Sequence, residues 1–207
     1  MKYNLIKSTW VDFSNSDVLG SARGWAGVFK YNPKAKKALE DFYARPDTLS
    51  IGVCNGCQLM VELNLLGIQD FHKPEMLNND SGKFESAFIN VDIVESSSIM
   101  LKSLVGSRLG IWVAHGEGKF NLPADEIAYQ IPMKYSYEEY PGNPNGSDYN
   151  VAAICSDDGR HLAMMPHLER STNFWNWAYY PEDRKSDEIT PWIEAFVNAR
   201  KWIEKQK

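Results

Sequence analysis

The sequence predicts an α/β fold in which a mainly parallel sheet is flanked by helices. A short apolar run from Leu49 to Val53 is typical of a buried strand, and apolar residues at helical spacing follow it up to Gly67. A predicted helix that begins at Pro33 precedes this strand. A helix, a buried strand and a second helix in succession are the order of elements found in mainly parallel sheets.

The turn between this strand and its helix carries the strongest functional pattern of the chain. Cys54 has a glycine two residues before it and another two residues after it, Gly52 and Gly56. This is the nucleophile-elbow pattern, in which a reactive side chain projects from a very tight turn between strand and helix. Side chains at the two glycine positions would collide with neighbouring backbone. Because the first turn of a helix favours an anion, the pattern predicts a thiolate nucleophile at Cys54.

Two other interpretations of Cys54 are open at this point. The residue could be a small buried hydrophobic side chain, although the paired glycines are unnecessary for that role. Cys54 and Cys57 also form a C-x-x-C motif, which occurs in redox pairs and in halves of zinc sites. A structural zinc site needs four ligands, and the remaining cysteine, Cys155, has only His161 near it at ligand spacing. Spacing alone leaves the redox pair open.

Length and composition indicate a single domain at residues 1–207. The chain has 207 residues, 43% hydrophobic and 24% charged, which is sufficient for a sizeable core. A net charge of −5 without basic runs argues against a nucleic-acid partner. No apolar run is long enough to span a bilayer, so we expect no membrane partner. Three cysteines do not make a disulfide framework, and a reducing cytoplasm is the expected location.

Shorter patterns predict the remaining elements. Strands are expected at residues 84–94, 109–115, within 127–137, at 151–155 and at 162–165. Asp157-Asp158-Gly159 predicts a hairpin between the last two. A final helix is expected with Thr190 as its N-cap and Pro191 in its first position. Residues 12–27, rich in Ser, Asp and Gly, predict a loop that leads into a turn of helix.

A histidine and a carboxylate follow the last predicted strand. His167 and Glu169 are two residues apart, so an extended backbone would point both side chains the same way. A carboxylate that orients a histidine produces a general base, and Cys54 would complete a triad of the Ser–His–Asp type. His115, at the end of another predicted strand beside Gly116, is more simply explained as a structural histidine.

Four motifs, taken together and in order, resemble one known family. They are GVCNGCQ from Gly52, HGEGK from His115, NPNGS from Asn143 and MMPHLERS from Met164. They are similar to the glutaminase domain of phosphoribosylformylglycinamidine synthase, a class I (triad-type) glutamine amidotransferase domain of purine biosynthesis. The resemblance runs from about Asp17 to the C-terminus and implies a flavodoxin-like α/β domain.

The resemblance implies a catalytic triad and a reaction. Cys54 would be the nucleophile, His167 the base and acid, and Glu169 the orienting carboxylate. The thiolate would attack the side-chain amide of glutamine, His167 would protonate the departing ammonia, and water would hydrolyse the glutamyl thioester. In the family, the ammonia travels to a synthetase active site, where ATP-driven chemistry converts formylglycinamide ribonucleotide to the amidine.

The resemblance also implies substrate contacts and a partner. Gln58 would help to hold the substrate glutamine, Glu117 would meet its α-amino group, and the backbone N–H of Asn55 would stabilise the oxyanion. The partner would be the synthetase part of the synthase, on another chain or elsewhere in the same one. No glycine loop of the P-loop or dinucleotide type is visible, so we expect no nucleotide, metal or organic cofactor in this chain.

Three departures from the family bear on activity. The family's domain normally begins with a further βαβα unit, so its N-terminal part is expected to be truncated here. The loop that usually reads GGFSYGD is VDFSNSD at residues 11–17 and lacks the glycines for a second oxyanion donor, whose loss costs about 10²–10³ in rate. Leu168 replaces the proline of the usual His-Pro-Glu. A non-catalytic interaction domain and another Cys–His–Glu hydrolase therefore stay open as rival functions.

Overall fold

The described part of the chain mixes helices with strands. The computed structural model describes residues 20–206. Within that range the α-helices are α1 (Ser21–Tyr31), α2 (Pro33–Tyr43), α3 (Asn55–Glu62) and α4 (Ile193–Glu204). The strands are β1 (Ser50–Val53), β2 (Glu75–Leu77), β3 (Glu85–Ile93), β4 (Arg108–His115), β5 (Lys119–Asn121), β6 (Gln130–Tyr135), β7 (Val151–Cys155) and β8 (His161–Met164).

Six of these strands form one mixed sheet in the order β1-β8-β7-β6-β3-β4, while β2 and β5 form a separate antiparallel pair. The predicted α/β class is confirmed. The expected mainly parallel pairing is not found among residues 20–206, because β1 with β8 is parallel and the other pairs are antiparallel. The physical reason is the connections: no α-helix separates the strands from β3 to β8, and parallel neighbours need a long crossover, usually helical.

The core lies on both faces of this sheet. On one face, Trp192 just before α4, and Ala195 and Ala199 within it, are buried against the sheet. On the other face, α3 buries Cys57 and Met60 together with sheet residues. A two-faced core of this kind is what an α/β layer arrangement requires, because each face of the sheet must be covered. None of the helices described in residues 20–206 has the length and apolar character needed to cross a membrane.

The segment that follows β8 covers the outer edge of β4. The backbone N–H of His167 donates to the carbonyl oxygen of Trp112 at 2.7 Å. The indole N–H of Trp192 donates to the carbonyl oxygen of Gly110 at 2.8 Å. The sheet is therefore curled, and the chain after β8 lies beside a strand that is four places away from β8 in the strand order.

Most predicted elements are confirmed, with small shifts at their ends. The helix from Pro33 is present, and the side chain of Asn32 caps it by accepting from the N–H groups of Lys34 and Ala35. The hairpin between β7 and β8 is present, with Gly159 at φ 72 in its turn. The helix after Cys54 is shorter than expected and ends at Glu62.

Two helix predictions near the chain ends need correction. Thr190 does not cap the last helix: its hydroxyl donates to the carbonyl oxygen of Ser171 at 2.6 Å, and α4 begins at Ile193. Residues 21–27 were expected in a loop with at most a turn of helix, but α1 already begins at Ser21. Tertiary contacts explain this difference, because α1 packs against α3. Residues 11–19, which include the rest of that predicted loop apart from Gly20, lie outside the described residues.

Candidate active site

The turn at Cys54 has the geometry that its glycines predict. β1 ends at Val53 and α3 begins one residue after Cys54, which has φ 53 and ψ −108. A Cβ atom placed on Gly52 would lie 2.5 Å from the carbonyl oxygen of Gly56 and 2.5 Å from the sulfur of Met60. Only glycine at position 52 permits so close an approach of strand and helix. Cys54, which is held at a positive φ, carries local backbone strain.

The Cys54 side chain lies half-buried between two strands that are far apart in the sheet order. Its backbone N–H donates to the carbonyl oxygen of Met164, at the end of β8, at 2.9 Å. Its sulfur contacts the carbonyl oxygen of Ala114, near the end of β4, at 3.5 Å. The nucleophile candidate is therefore held in the region where the curled sheet brings β8 and β4 together.

His167 is paired with Glu169 as the sequence predicts. Its Nδ1 lies 2.6 Å from a carboxylate oxygen of Glu169, and the imidazole is buried. Nε2 is also buried and has no aligned hydrogen-bond partner among residues 20–206, which leaves it as the ring atom available to the Cys54 sulfur. Burial lowers the pKa of His167, but Cys54 and Glu169 outweigh that effect and raise its pKa to about 9.

The backbone that holds this pair differs from the expected extended segment. Leu168–Arg170 is a turn of 3₁₀-helix, and His167 immediately precedes it with φ −98 and ψ 85. The two side chains meet because the turn brings them together, rather than because alternate residues of a strand share a face. Leu168, at the position of the family's proline, is fully buried in the core and fixes this turn.

Gln58 and Glu117 are joined by a hydrogen bond. The side-chain amide of Gln58 donates to the backbone carbonyl oxygen of Glu117 at 2.7 Å. The Glu117 carboxylate accepts from the backbone N–H of Gly20, at 3.0 and 3.2 Å for its two oxygens. Gly20 has φ 80 and precedes α1, whose first turn contains no acidic residue. Glu117 therefore stabilises the beginning of α1, a contact that the sequence did not reveal.

Asn55 occupies the first position of α3, next to Cys54, and is buried. In this position a backbone N–H points out of the helix towards the turn, which is the location expected for an oxyanion donor. The six residues singled out from the sequence thus lie where the curled sheet brings β8 and β4 together. Cys54 precedes α3, Asn55 and Gln58 lie on α3, Glu117 follows β4, and His167 and Glu169 follow β8.

His115 lies beside the site in a structural role. It is 2% exposed, and its Nδ1 lies 3.3 Å from the side-chain oxygen of Asn79. Burial, together with the nearby positive charge of His167, lowers its pKa to about 4. Gly118 is required here, because a Cβ atom would lie 2.4 Å from Nδ1 of His115.

A buried network of asparagines supports the loop that contains Glu117, and sequence reasoning missed it. Asn79 donates to the carbonyl oxygen of His115 at 2.7 Å and accepts from the N–H of Gly118 at 3.0 Å. Asn145 donates to the carbonyl oxygen of Gly118 at 2.7 Å. The NPNGS motif, which contains Asn145, is the sequence signal from which this network could have been predicted. Asn145 holds the loop through its bond to Gly118.

Cys57 does not have the exposure expected of a redox or zinc cysteine. It is fully buried in the core, and burial raises the pKa of its thiol well above its usual range. Cys155 lies in the core cluster on the opposite face of the sheet. Among residues 20–206 no group of three or more His, Cys, Asp or Glu side chains is arranged to hold a metal ion.

Comparison with known proteins gives both a family and named relatives. The model of a family described as the CobB/CobQ-like glutamine amidotransferase domain matches residues 10–203. Probable phosphoribosylformylglycinamidine synthase, chloroplastic/mitochondrial, of Arabidopsis thaliana is 44% identical over 212 residues, which covers 93% of this chain. Phosphoribosylformylglycinamidine synthase of Homo sapiens is 40% identical over 216 residues, which covers 92% of this chain. The chain spans only 15% and 16% of the lengths of these two relatives.

A solved structure supports the fold. The structure of PurLQS from Thermotoga maritima matches with a TM-score of 0.66 and 23% identity, covering 97% of this chain and 80% of that chain. At this identity the likeness shows the fold alone.

Proposed function

The chain belongs to the CobB/CobQ-like glutamine amidotransferase domain family, and from this premise we propose that it hydrolyses glutamine to ammonia through a thioester on Cys54. The observation that carries the proposal is the arrangement of Cys54, His167 and Glu169. The sulfur is presented by a strained turn, the imidazole of His167 interacts with Cys54, and a carboxylate oxygen 2.6 Å from Nδ1 orients the ring. Three groups in this relationship can perform acyl transfer from an amide.

In the proposed reaction the Cys54 thiolate attacks the side-chain amide carbon of glutamine. The raised pKa of His167, about 9, supports an imidazolium at neutral pH, which can donate a proton to the departing ammonia. The imidazole then takes a proton from water, the water attacks the thioester, and glutamate leaves. Glu169 keeps Nδ1 protonated and so fixes which nitrogen faces the sulfur.

The binding residues keep the roles that we expected from the sequence. We propose that the N–H of Asn55, at the start of α3, donates to the oxyanion. Gln58 is held through its amide by the backbone of Glu117, and this contact leaves its side-chain oxygen for the substrate. For Glu117 we retain contact with the α-amino group as a proposal, in addition to its observed bond to Gly20.

We further propose that the ammonia serves phosphoribosylformylglycinamidine synthesis and that the partner is a synthetase domain or subunit. The relatives that carry this name support the assignment, and the charge of −5 supports neither a nucleic-acid nor a membrane partner. No nucleotide, metal or organic cofactor is part of the proposal. The cytoplasm stays the proposed location, although one relative is named as chloroplastic/mitochondrial.

The test is a glutaminase assay on the full chain, alone and with the synthetase part of a relative supplied. We expect glutamate release that disappears in Cys54→Ala. The matched control is Cys155→Ala, since Cys155 is a core residue on β7 away from the nucleophile.

Three results would contradict the proposal. No turnover, even with the synthetase part supplied, would indicate a non-catalytic interaction domain. Hydrolysis of many unrelated amides or esters would indicate a different Cys–His–Glu hydrolase. Glutamine hydrolysis that persists in Cys54→Ala would remove the thiolate mechanism.

A further inference from the structure

The MMPHLERS motif ends on a serine that the proposed reaction does not use. Ser171 follows the 3₁₀ turn Leu168–Arg170 and is fully buried. Its backbone N–H donates to the carbonyl oxygen of Leu168 at 3.0 Å, so the serine closes the turn that begins after His167. A buried hydroxyl in this position must have hydrogen-bond partners, and those partners define what the residue does.

The turn lies against the outer edge of β4, which is the last strand of the sheet. In an antiparallel edge strand, every second residue directs its N–H and C=O groups away from the neighbouring strand. Trp112 is such a residue, because its carbonyl oxygen accepts from the backbone N–H of His167 at 2.7 Å. The N–H of Trp112 therefore needs an acceptor outside β3.

The hydroxyl of Ser171 supplies that acceptor. Its oxygen accepts from the backbone N–H of Trp112 at 3.4 Å, and the hydroxyl donates to the carbonyl oxygen of His167 at 3.2 Å. Two residues that face each other in a hydrogen-bonded antiparallel pair normally exchange both bonds directly. Trp112 and His167 exchange one bond directly, and the second passes through the serine hydroxyl.

This second link fixes the orientation of the turn as well as its place. A single hydrogen bond from His167 to β4 holds one point of the chain and lets the turn rotate about that point. The hydroxyl bridge holds a second point, so the direction in which the His167 side chain leaves the backbone is fixed. The carbonyl oxygen of His167 also accepts from the N–H of Arg170 at 3.2 Å, but that bond lies within the turn and does not attach it to β4.

The serine itself is held from its other side. Its carbonyl oxygen accepts from the indole N–H of Trp177 at 2.7 Å and from the hydroxyl of Thr190 at 2.6 Å. Both donors belong to the chain between the turn and α4. Ser171 therefore has a fixed position to which the backbone of His167 is attached.

We propose that Ser171 is a positioning residue whose hydroxyl keeps the imidazole of His167 directed towards the Cys54 sulfur. β4, which receives the bridge, also contains Ala114, whose carbonyl oxygen lies 3.5 Å from that sulfur, so one strand sets both positions. Ser171 acts through the backbone of His167 and not on the reacting atoms. This inference rests on the proposed glutaminase function, because that reaction requires the alignment of sulfur and imidazole.

The substitution Ser171→Ala in the full chain tests the proposal with two measurements. The kcat for glutamine hydrolysis should fall about 10–100-fold while KM changes by less than about 2-fold, since a displacement of about 1 Å costs up to about 10²-fold in rate. The titration midpoint of His167, measured by nuclear magnetic resonance, should fall from about 9 towards 6.5 as the ring moves away from Cys54. A serine that serves stability alone would change neither.

Ser98→Ala is the matched control for this substitution. Ser98 is 1% exposed, and its hydroxyl oxygen also accepts from a backbone N–H at 3.4 Å, that of Leu101. The next residue, Ile99, donates to Gly159 in the turn between β7 and β8, at the end of β8 away from Cys54. Ser98→Ala should lower the urea midpoint, as Ser171→Ala does, and leave kcat and the His167 midpoint unchanged.

A second pair of variants decides the case in which Ser171→Ala does not fold. Ser171→Thr and Ser171→Val introduce side chains of equal size, so they crowd the buried position alike and differ in the hydroxyl. We expect kcat to be at least about 10-fold higher in Ser171→Thr than in Ser171→Val, with a His167 midpoint near 9 only in the former.

The assignment of Ser171 would be overturned by equal kcat in these two variants, by an unchanged kcat or His167 midpoint in Ser171→Ala, or by an equal loss in Ser98→Ala. A wild-type chain without glutaminase activity, even with the synthetase part supplied, would instead contradict the proposed function. The His167 midpoint needs no substrate, so it would still test Ser171 in that event.

Discussion

The backbone N–H of His167 donates to the carbonyl oxygen of Trp112 and joins the end of β8 to the outer edge of β4. The Cys54 sulfur contacts the carbonyl oxygen of Ala114, which is two residues after Trp112 on the same strand. One strand edge therefore positions both the candidate nucleophile and its candidate base. The geometry of the candidate site depends on the curl of the whole sheet, and changes that loosen the curl should reduce activity together with stability.

The pKa of His167 should depend on both of its neighbours. Cys54 and Glu169 raise it, whereas burial lowers it. We expect Cys54→Ala and Glu169→Gln each to lower the titration midpoint from about 9, and the double variant to bring it below the ordinary value of 6.5. Nuclear magnetic resonance of the histidine ring protons measures this midpoint.

His161 provides the internal reference in that experiment, because burial, Arg160 and Asp158 set its pKa at about 4 and neither Cys54 nor Glu169 contributes. Its titration midpoint should not change in any of the three variants. A His167 midpoint that stays near 9 without Cys54 and Glu169 would mean that the proposed pairing does not hold the proton.

Local patterns in the sequence were sufficient to predict the separate parts of the site. The glycines around Cys54 predicted a tight turn, and a His-x-Glu after the last strand predicted an oriented base. The sequence could not show that β4 and the end of β8 meet, because this contact joins Trp112 and His167, 55 positions apart by their numbers. Such closure depends on sheet curvature, which no local pattern encodes.

Local patterns do not show tertiary contacts, and this also explains the predictions of sheet pairing and of the last helix start that were wrong. β3 pairs antiparallel with β4 and β6 because no α-helix lies in the connections between these strands. The pattern around β1, which does pair in parallel with β8, predicts a parallel sheet throughout. Thr190-Pro191 has the pattern of a helix start, but the hydroxyl of Thr190 bonds to Ser171 instead. In both cases tertiary contacts outweighed a correct local preference.

Gly52→Ala should destabilise the protein and abolish glutaminase activity. Its Cβ atom would lie 2.5 Å from the Gly56 backbone, so strand and helix must separate. We expect a loss of about 1–3 kcal/mol in the free energy of unfolding, the usual cost of overpacking, measured by urea denaturation.

Gly24→Ala is the matched control for this substitution. Gly24 lies inside α1, and a Cβ atom there meets no atom within 4 Å. Alanine should therefore raise stability by about 0.5–1 kcal/mol, because glycine is unfavourable within a helix. Equal effects of the two substitutions would show that the close contact at the elbow is not what requires Gly52.

The stability of the fold should decrease between pH 6.5 and pH 4. Burial lowers the pKa of His115 and of His161 to about 4, so within this range the unfolded chain binds protons that the folded chain does not. Each group contributes up to about 3 kcal/mol, fully present above pH 6.5 and lost as the pH falls to 4. The opposite sign applies to His167, whose stabilisation is present below pH 6.5 and is lost as the pH rises through about 9.

Urea denaturation at a series of pH values measures this dependence. In His161→Gln the slope of the unfolding free energy between pH 6.5 and 5 should be smaller by about 1 kcal/mol per pH unit. An unchanged slope would show that His161 is not held neutral in the folded protein.

Gln58→Ala should raise the KM for glutamine about 3- to 10-fold with a smaller effect on kcat, because one neutral hydrogen bond to the substrate is lost. Steady-state glutaminase assays measure both constants. Gln69→Ala is the matched control, since Gln69 is exposed in the turn after α3. If kcat fell strongly and KM stayed the same, Gln58 would act on the reaction rather than on binding.

The most direct measurement is mass spectrometry of the chain quenched in acid while it turns over glutamine. The account predicts a glutamyl adduct on the peptide that contains Cys54, absent from Cys54→Ala and more abundant when deacylation is slowed in Glu169→Gln. Glutamine consumption without any such adduct, at a rate that Cys54→Ala does not change, would contradict it.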